Sequence, residues 1–129
     1  MRVRRLDHIV LTVSDIAATE RFYHEVFDMP IIADQSDDHV TTLRCGHQLI
    51  RLQRADCDAL KATHPTVGAA DLAIVVGDNM EDVHNHMVSY FVDIVAGPVK
   101  KLGAEGEMLS LYVHDPDQNL IEVSTYKNK

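Results

Sequence analysis

The stretch Leu6-Asp7-His8-Ile9-Val10-Leu11-Thr12-Val13 restarts as Ala70-Asp71-Leu72-Ala73-Ile74-Val75-Val76, and the restart decides the architecture. Both runs are rich in β-branched residues and roughly alternate in polarity, the pattern of a strand with one face on a core. His8 and Asp71 hold equivalent places, 63 residues apart. The segments after the two runs are also alike. After the first, Ser14 offers a helix N-cap and Asp15 suits the positive end of a helix. Ile16, Thr19, Phe22, Tyr23, Val26 and Phe27 then recur at spacings of three and four, one apolar helical face. Met29-Pro30 closes that helix. Short strands are expected at about 30–34, 39–45 and 48–53, with Cys45-Gly46-His47 as a hairpin turn. After the second, Asp78 is the N-cap candidate, and Met80, Val83, Met87 and Tyr90 mark a second amphipathic helix. Strands at about 92–95, 107–114 and 119–125 come next, with Asp115-Pro116-Asp117-Gln118-Asn119 as a turn.

The order βαβββ thus occurs twice, which predicts an α+β protein. Module 1 covers about 1–54, a polar linker with Pro65 and Gly68 about 55–68, and module 2 about 69–129. A repeat of so small a unit implies halves that are incomplete alone, within a single domain of 129 residues.

Composition excludes several function classes. Twelve Lys and Arg stand against 20 Asp and Glu, a formal charge of −8. Nucleic acid and anionic membrane surfaces need Lys/Arg clusters, and the basic run Arg2–Arg5 sits alone at the N-terminus. An apolar fraction of 46% supports a packed core and argues against disorder. Cys45 and Cys57 are too few for a disulfide framework and suit a reducing cytoplasm, with Cys45 a buried thiol inside a strand. No apolar run reaches the ~18 residues of a membrane span, and the N-terminus shows no signal-peptide core.

Alternation along the strands sorts faces. Ile9, Leu11 and Val13 oppose His8, Val10 and Thr12. Ile50 and Leu52 oppose Leu49, Arg51 and Gln53. Leu72, Ile74 and Val76 oppose Asp71, Ala73 and Val75. Leu111 and Val113 oppose Ser110, Tyr112 and His114, and Ile121 and Val123 oppose Leu120, Glu122 and Ser124. Each module therefore has an apolar side for its helix and a second side spotted with ionisable groups: His8, Arg51, Asp71, His114 and Glu122. A fully solvated sheet face would carry more Lys, Glu and Thr than this one. Mixed with Leu, Val and Ala, these few groups predict a partly closed polar cavity. Glu122, flanked by Leu120, Ile121 and Val123, is a half-buried carboxylate that needs a cation or donors. His64, in the linker, is placed to line the mouth of a site.

The opening Leu6-Asp7-His8-Ile9-Val10, the helix ending Arg21-Phe22-Tyr23 and the close Asp115-Pro116-Asp117-Gln118-Asn119-Leu120-Ile121-Glu122-Val123 resemble the vicinal oxygen chelate superfamily of glyoxalases, bleomycin resistance proteins and extradiol dioxygenases. Ala62-Thr63-His64-Pro65-Thr66, Gly97-Pro98-Val99 and the run from Gly103-Ala104 to Ser124-Thr125-Tyr126 further resemble the glyoxalase-domain-containing protein 5 group, itself similar to lactoylglutathione lyases. The resemblance implies a cupped, partly closed mixed sheet with helices outside, often as a homodimer. It implies a single divalent ion held near module starts and ends, at positions that here carry His8, Arg51, Asp71 and Glu122. Arg51 and Asp71 depart from the usual ligands. Arg51 is a permanent cation and cannot serve as the base that glyoxalase chemistry asks of that position. Asp71 makes a harder donor set than two His and one carboxylate, suiting Mn, Mg, Ni or Zn about as well as Fe.

Two functions lead on this reading, with a structural or regulatory interaction protein as a third. In the first, His8, Asp71 and Glu122 bind a divalent metal in an enzyme related to lactoylglutathione lyases or ring-cleavage dioxygenases. Glu122 is the catalytic carboxylate, and Arg51, Gln53, Ser110, Tyr112 and His64 hold a small oxygen-rich or electrophilic substrate. In the second, Arg51 pairs with Asp71 and Glu122, no metal binds, and the protein sequesters a small molecule in the manner of the bleomycin resistance proteins.

Overall fold

A computed structural model of the chain describes residues 1–127. The chain divides into two compact units, Met1–Ala69 and a second from Ala70 onward. Unit 1 holds β1 (His8–Val13), α1 (Ile16–Phe27), a 3-10 turn (Ala33–Gln35), β2 (Val40–Cys45) and β3 (Gln48–Arg54). Unit 2 holds β4 (Asp71–Val75), α2 (Met80–Ser89), β5 (Ile94–Gly103), β6 (Gly106–His114) and β7 (Leu120–Tyr126).

The expected repeat is present in the topology. Unit 1 is a three-stranded sheet in the order β1-β3-β2, and unit 2 a four-stranded sheet in the order β4-β7-β6-β5. In each, the opening strand pairs in parallel with the closing strand, and the closing strand pairs antiparallel with the one before it. The registers also match. His8 faces Leu49 and Val10 faces Arg51, while Asp71 faces Leu120 and Ala73 faces Glu122. His8 and Asp71 are therefore equivalent, and so are Arg51 and Glu122.

The cores lie where alternation puts them. Leu11, Val13, Ile50, Leu52 and Leu43 are buried in unit 1, and Ile74, Leu111, Val113, Ile121 and Val123 in unit 2. α1 packs on β2 and β3 through Thr19, Tyr23 and Val26, and α2 packs on β5 and β6 through Met80, Val83 and Met87. Among the described residues no helix is long and apolar enough to cross a membrane.

Three local expectations are corrected. Helix caps fall one residue later than Ser14 and Asp78. Asp15 caps α1 by accepting from the Ala18 N–H at 3.1 Å, and Asn79 caps α2 by accepting from the Asp82 N–H at 2.9 Å. The strand at 30–34 shrinks to a bridge between Ile31 and Leu43, after which the chain turns through Ala33–Gln35. The strand at 92–95 instead runs to Gly103, passing Pro98, because β5 is a sheet edge and its register is irregular between Ile94 and Val99. Proline is tolerated at such edges and bulges, where its missing N–H leaves no gap in a ladder.

α1 carries one polar atom the core does not serve. Thr19 is buried, and its Oγ1 has no hydrogen-bond partner among the described residues. A buried hydroxyl left unpaired costs roughly 1–3 kcal/mol. Thr19→Val keeps the shape and removes the hydroxyl, so we expect it to raise unfolding free energy by about 1 kcal/mol. Urea denaturation checks this, and a loss of stability would show that the hydroxyl is served after all.

Candidate functional site

The face of each sheet turned away from its helix carries the candidate residues, and the two faces differ in sign. In unit 1, His8 and Arg51 share the face with Val10, Thr12, Leu49 and Gln53. The Nδ1 of His8 lies 2.9 Å from Asp7 Oδ2, and Arg51 Nη1 lies 3.2 Å from His8 Nε2. One tautomer satisfies both contacts: Nδ1–H donates to Asp7, and the Nε2 lone pair accepts from Arg51. The hydrogen bond from His8, with the positive charges of Arg5 and Arg51 near it, holds the Asp7 carboxyl below the usual carboxylate range. From its other nitrogen, Arg51 Nη2 donates to Gln35 Oε1 at 3.0 Å. Gln35 ends the 3-10 turn that replaced the expected strand.

In unit 2, Asp71 and Glu122 share the corresponding face, since Ala73, two residues beyond Asp71, is the partner of Glu122. Asp71 is exposed. Glu122 is half-buried and held from below: its Oε2 accepts from Ser110 Oγ at 2.8 Å and from Ser124 Oγ at 3.3 Å. The two serines are 0% exposed and lie 2.8 Å apart through their hydroxyls. Tyr112 sits opposite Glu122 in the register. Burial, with a hydrogen bond to Glu122 and that carboxylate's charge, pushes the Tyr112 phenol up. Tyr112 is thus a neutral donor at pH 7.

The remaining sequence candidates have other surroundings. Gln53 is buried and donates through Nε2 to Cys57 Sγ at 3.2 Å. Ser110 lies beneath Glu122 rather than open on the face. His64 is exposed between β3 and β4, where its backbone carbonyl accepts from Thr66 Oγ1. Cys45 is half-buried, and burial raises its thiol pKa. Sequence reading missed Gln35, Asp7 and Ser124. Of these only Ser124 had a signal, its place on the Glu122 side of the strand. A cavity of about 720 Å³ in unit 2 is lined by Met80, Lys100, Met108, Leu109 and Tyr126 among others, and by none of the candidate residues.

A divalent ion finds little among these donors. Within neither unit do three His, Cys, Asp or Glu side chains of the described residues gather as a metal-holding set. More decisively, His8 offers a cation no free lone pair on Nε2, because Arg51 uses it. A guanidinium about 4 Å from an ion costs about 4 kcal/mol per unit of ion charge even at an effective dielectric near 20. His8 with Arg51 in this position does not fit a metal.

The comparisons agree with the topology. Residues 5–123 match the model of the Glyoxalase/Bleomycin resistance protein/Dioxygenase superfamily. Virulence protein STM3117 of Salmonella typhimurium is 41% identical over 98% of this chain and 87% of its own length. Its crystal structure superposes with a TM-score of 0.91, covering 98% of this chain and 100% of that one. The glyoxalase domain-containing protein RDO1 of Mycosarcoma maydis is 39% identical over 99% of this chain and 72% of its own length. At 18% identity the fold alone is shared with TnmS3, an antibiotic binding protein from Streptomyces sp. CB03234, with a TM-score of 0.76 over 98% of this chain and 99% of that one.

Proposed function

The chain belongs to the Glyoxalase/Bleomycin resistance protein/Dioxygenase superfamily, and from that premise we propose that it binds a small oxygen-rich organic anion, with Arg51 as the anchor in unit 1. The observation that carries this is the placement of the Arg51 guanidinium on His8 Nε2. A fixed cation stands on the face where a metal would need a lone pair, and planar guanidinium groups match carboxylate and phosphate oxygens in a two-pronged geometry. His8, with its ring held by Asp7, supports the cation from one side. Unit 2 has its own acceptor and donor on the corresponding face, Glu122 and Tyr112. Small-molecule capture without turnover, as in the bleomycin resistance proteins, needs no more than this. A homodimer in the reducing cytoplasm belongs to the same proposal. The free thiols of Cys45 and Cys57 are in keeping with that setting.

The competing proposal is the divalent-metal enzyme, with His8, Asp71 and Glu122 as ligands and Glu122 as catalytic carboxylate. One observation favours it. Hydroxyl donors hold Glu122 as an oriented carboxylate on an open sheet face, a disposition suited to a cation or a proton acceptor.

Isothermal titration against a panel of small carboxylates, phosphonates and hydroxylated aromatics separates the two. We expect an anionic ligand to bind the wild type in metal-free buffer, and Arg51→Ala to weaken it by about tenfold, near 1.4 kcal/mol. Arg51→Lys should recover only part of that, since it keeps the charge and loses the fork. Binding that appears only after Mn, Fe(II), Ni or Zn is added, and that His8→Ala abolishes, would establish the metal enzyme instead.

A further inference from the structure

We infer that Gln35 is a positioning residue that keeps Arg51 laid across His8, and so sets the preference of this face for anions over cations. The inference rests on the anion-binding proposal for Arg51 and adds the residue that aims it.

An arginine side chain on a strand has many rotamers, and a single contact to a histidine would not fix its guanidinium. Here the guanidinium is held from two sides, by His8 Nε2 on Nη1 and by Gln35 Oε1 on Nη2. The Gln35 side is built in. Thr42, fully buried and facing Arg51 in the β2–β3 register, donates its Oγ1 hydrogen to the Gln35 carbonyl at 2.7 Å. The Thr42 N–H donates to Ser36 Oγ at 3.0 Å, and Ser36 in turn donates to the Ile32 carbonyl at 2.8 Å. The backbone of the 3-10 turn is thereby tied to the strand beside Arg51, and the Gln35 amide starts from a fixed root. The side chain presents its carbonyl oxygen to Arg51, the end that suits a cation. Glutamine is neutral, so it orients the guanidinium without cancelling the charge an anion needs. A glutamate there would orient Arg51 equally well and neutralise it.

The test uses the full-length protein with its histidine ring nitrogens labelled, and His8→Ala identifies the His8 signals. Inorganic phosphate is the anion probe and Ni(II) the cation probe. In Gln35→Leu, we expect the His8 Nε2 resonance to move towards its position in Arg51→Ala. Phosphate affinity should fall about threefold, the size of one exposed charge-assisted hydrogen bond, and the His8 ring should begin to respond to Ni(II). In Gln35→Glu, the His8 resonance should stay at its wild-type position while phosphate affinity falls about tenfold or more, because geometry is kept and charge is lost. A merely structural Gln35 would not separate the two readouts. An unchanged His8 resonance in Gln35→Leu, with Arg51→Ala shifting it, overturns the inference. If phosphate binds neither wild type nor variants, the anion-binding proposal is what fails, and the His8 resonance still decides whether Gln35 positions Arg51. An unaltered amide spectrum elsewhere certifies that each variant is folded.

Discussion

Asp115→Ala is expected to lower the unfolding free energy by about 3–4 kcal/mol, a midpoint shift on the order of 10 °C for a chain of this size. Asp115 is 2% exposed, yet its carboxylate is fully employed. Oδ1 accepts from the N–H groups of Asp117 and Asn119, both at 2.9 Å, and Oδ2 accepts from Asn119 Nδ2 at 2.9 Å. Removing it strands these donors in a buried turn, where each costs roughly 1–3 kcal/mol before relaxation. The consequence travels to the candidate face. Asn119, oriented by Asp115, accepts the Ala70 N–H at 2.8 Å on Oδ1, and the Leu120 N–H donates back to the Ala70 carbonyl. That reciprocal pair starts the β4–β7 ladder and sets Asp71 against Leu120, hence both acidic side chains on one face. Asp115→Asn keeps one oxygen acceptor for the two backbone donors and should lose about half as much. Thermal unfolding of both variants checks the ordering. A loss below about 1 kcal/mol for the alanine variant would mean that backbone bonds alone close the turn.

The legible and illegible parts of this protein divide along physical lines. β1, β3, β4, β6 and β7 could be read because a half-buried strand must alternate, and the same alternation put His8, Arg51, Asp71 and Glu122 on the correct faces. Ile31-Ile32 also looked like the start of a strand. Only Ile31 bridges to β2, and the Ile32 N–H still reaches the Thr42 carbonyl, but Ala33–Gln35 then coils away. Tertiary bonds from Thr42 and Ser36 decide that turn, and nothing local announces them. Gln35 was invisible for the same reason. The strand expected at 92–95 stops short of Gly97-Pro98, and the edge position that lets β5 run on through Pro98 is a property of the assembled sheet. Gly97 in turn is required there by close packing: a Cβ would come within 2.6 Å of the Ser110 carbonyl oxygen. Ser110 shows the limit of periodicity most clearly. Period two names the face of a residue and not its depth, so a serine beneath Glu122 looked like one beside it.

That depth makes Ser110→Val the most costly change expected at the candidate site itself, about 2–3 kcal/mol, whereas Glu122→Met should stay within about 1 kcal/mol of the wild type. The asymmetry comes from the groups left behind. Valine in place of Ser110 removes the 2.8 Å donor from Glu122 Oε2 and the partner of Ser124 at one stroke, leaving a half-buried carboxylate short of hydrogen bonds. Methionine in place of Glu122 removes the charge, and the two buried hydroxyls still bond each other at 2.8 Å. If the carboxylate served the fold, its removal would be the worse change. If the fold instead bears its cost so that a ligand can meet it, removing Glu122 should spare stability and impair ligand binding. Combining Ser110→Val with Glu122→Met should then recover only the carboxylate's share, about half of what Ser110→Val loses, because the buried Ser124 hydroxyl is left with neither of its partners. Urea unfolding of the two single variants and the double variant measures the coupling directly. A double variant no more stable than Ser110→Val would mean that the loss comes from the stranded Ser124 hydroxyl and from packing around the introduced valine side chain, and Glu122 would then no longer stand as a carboxylate kept for binding.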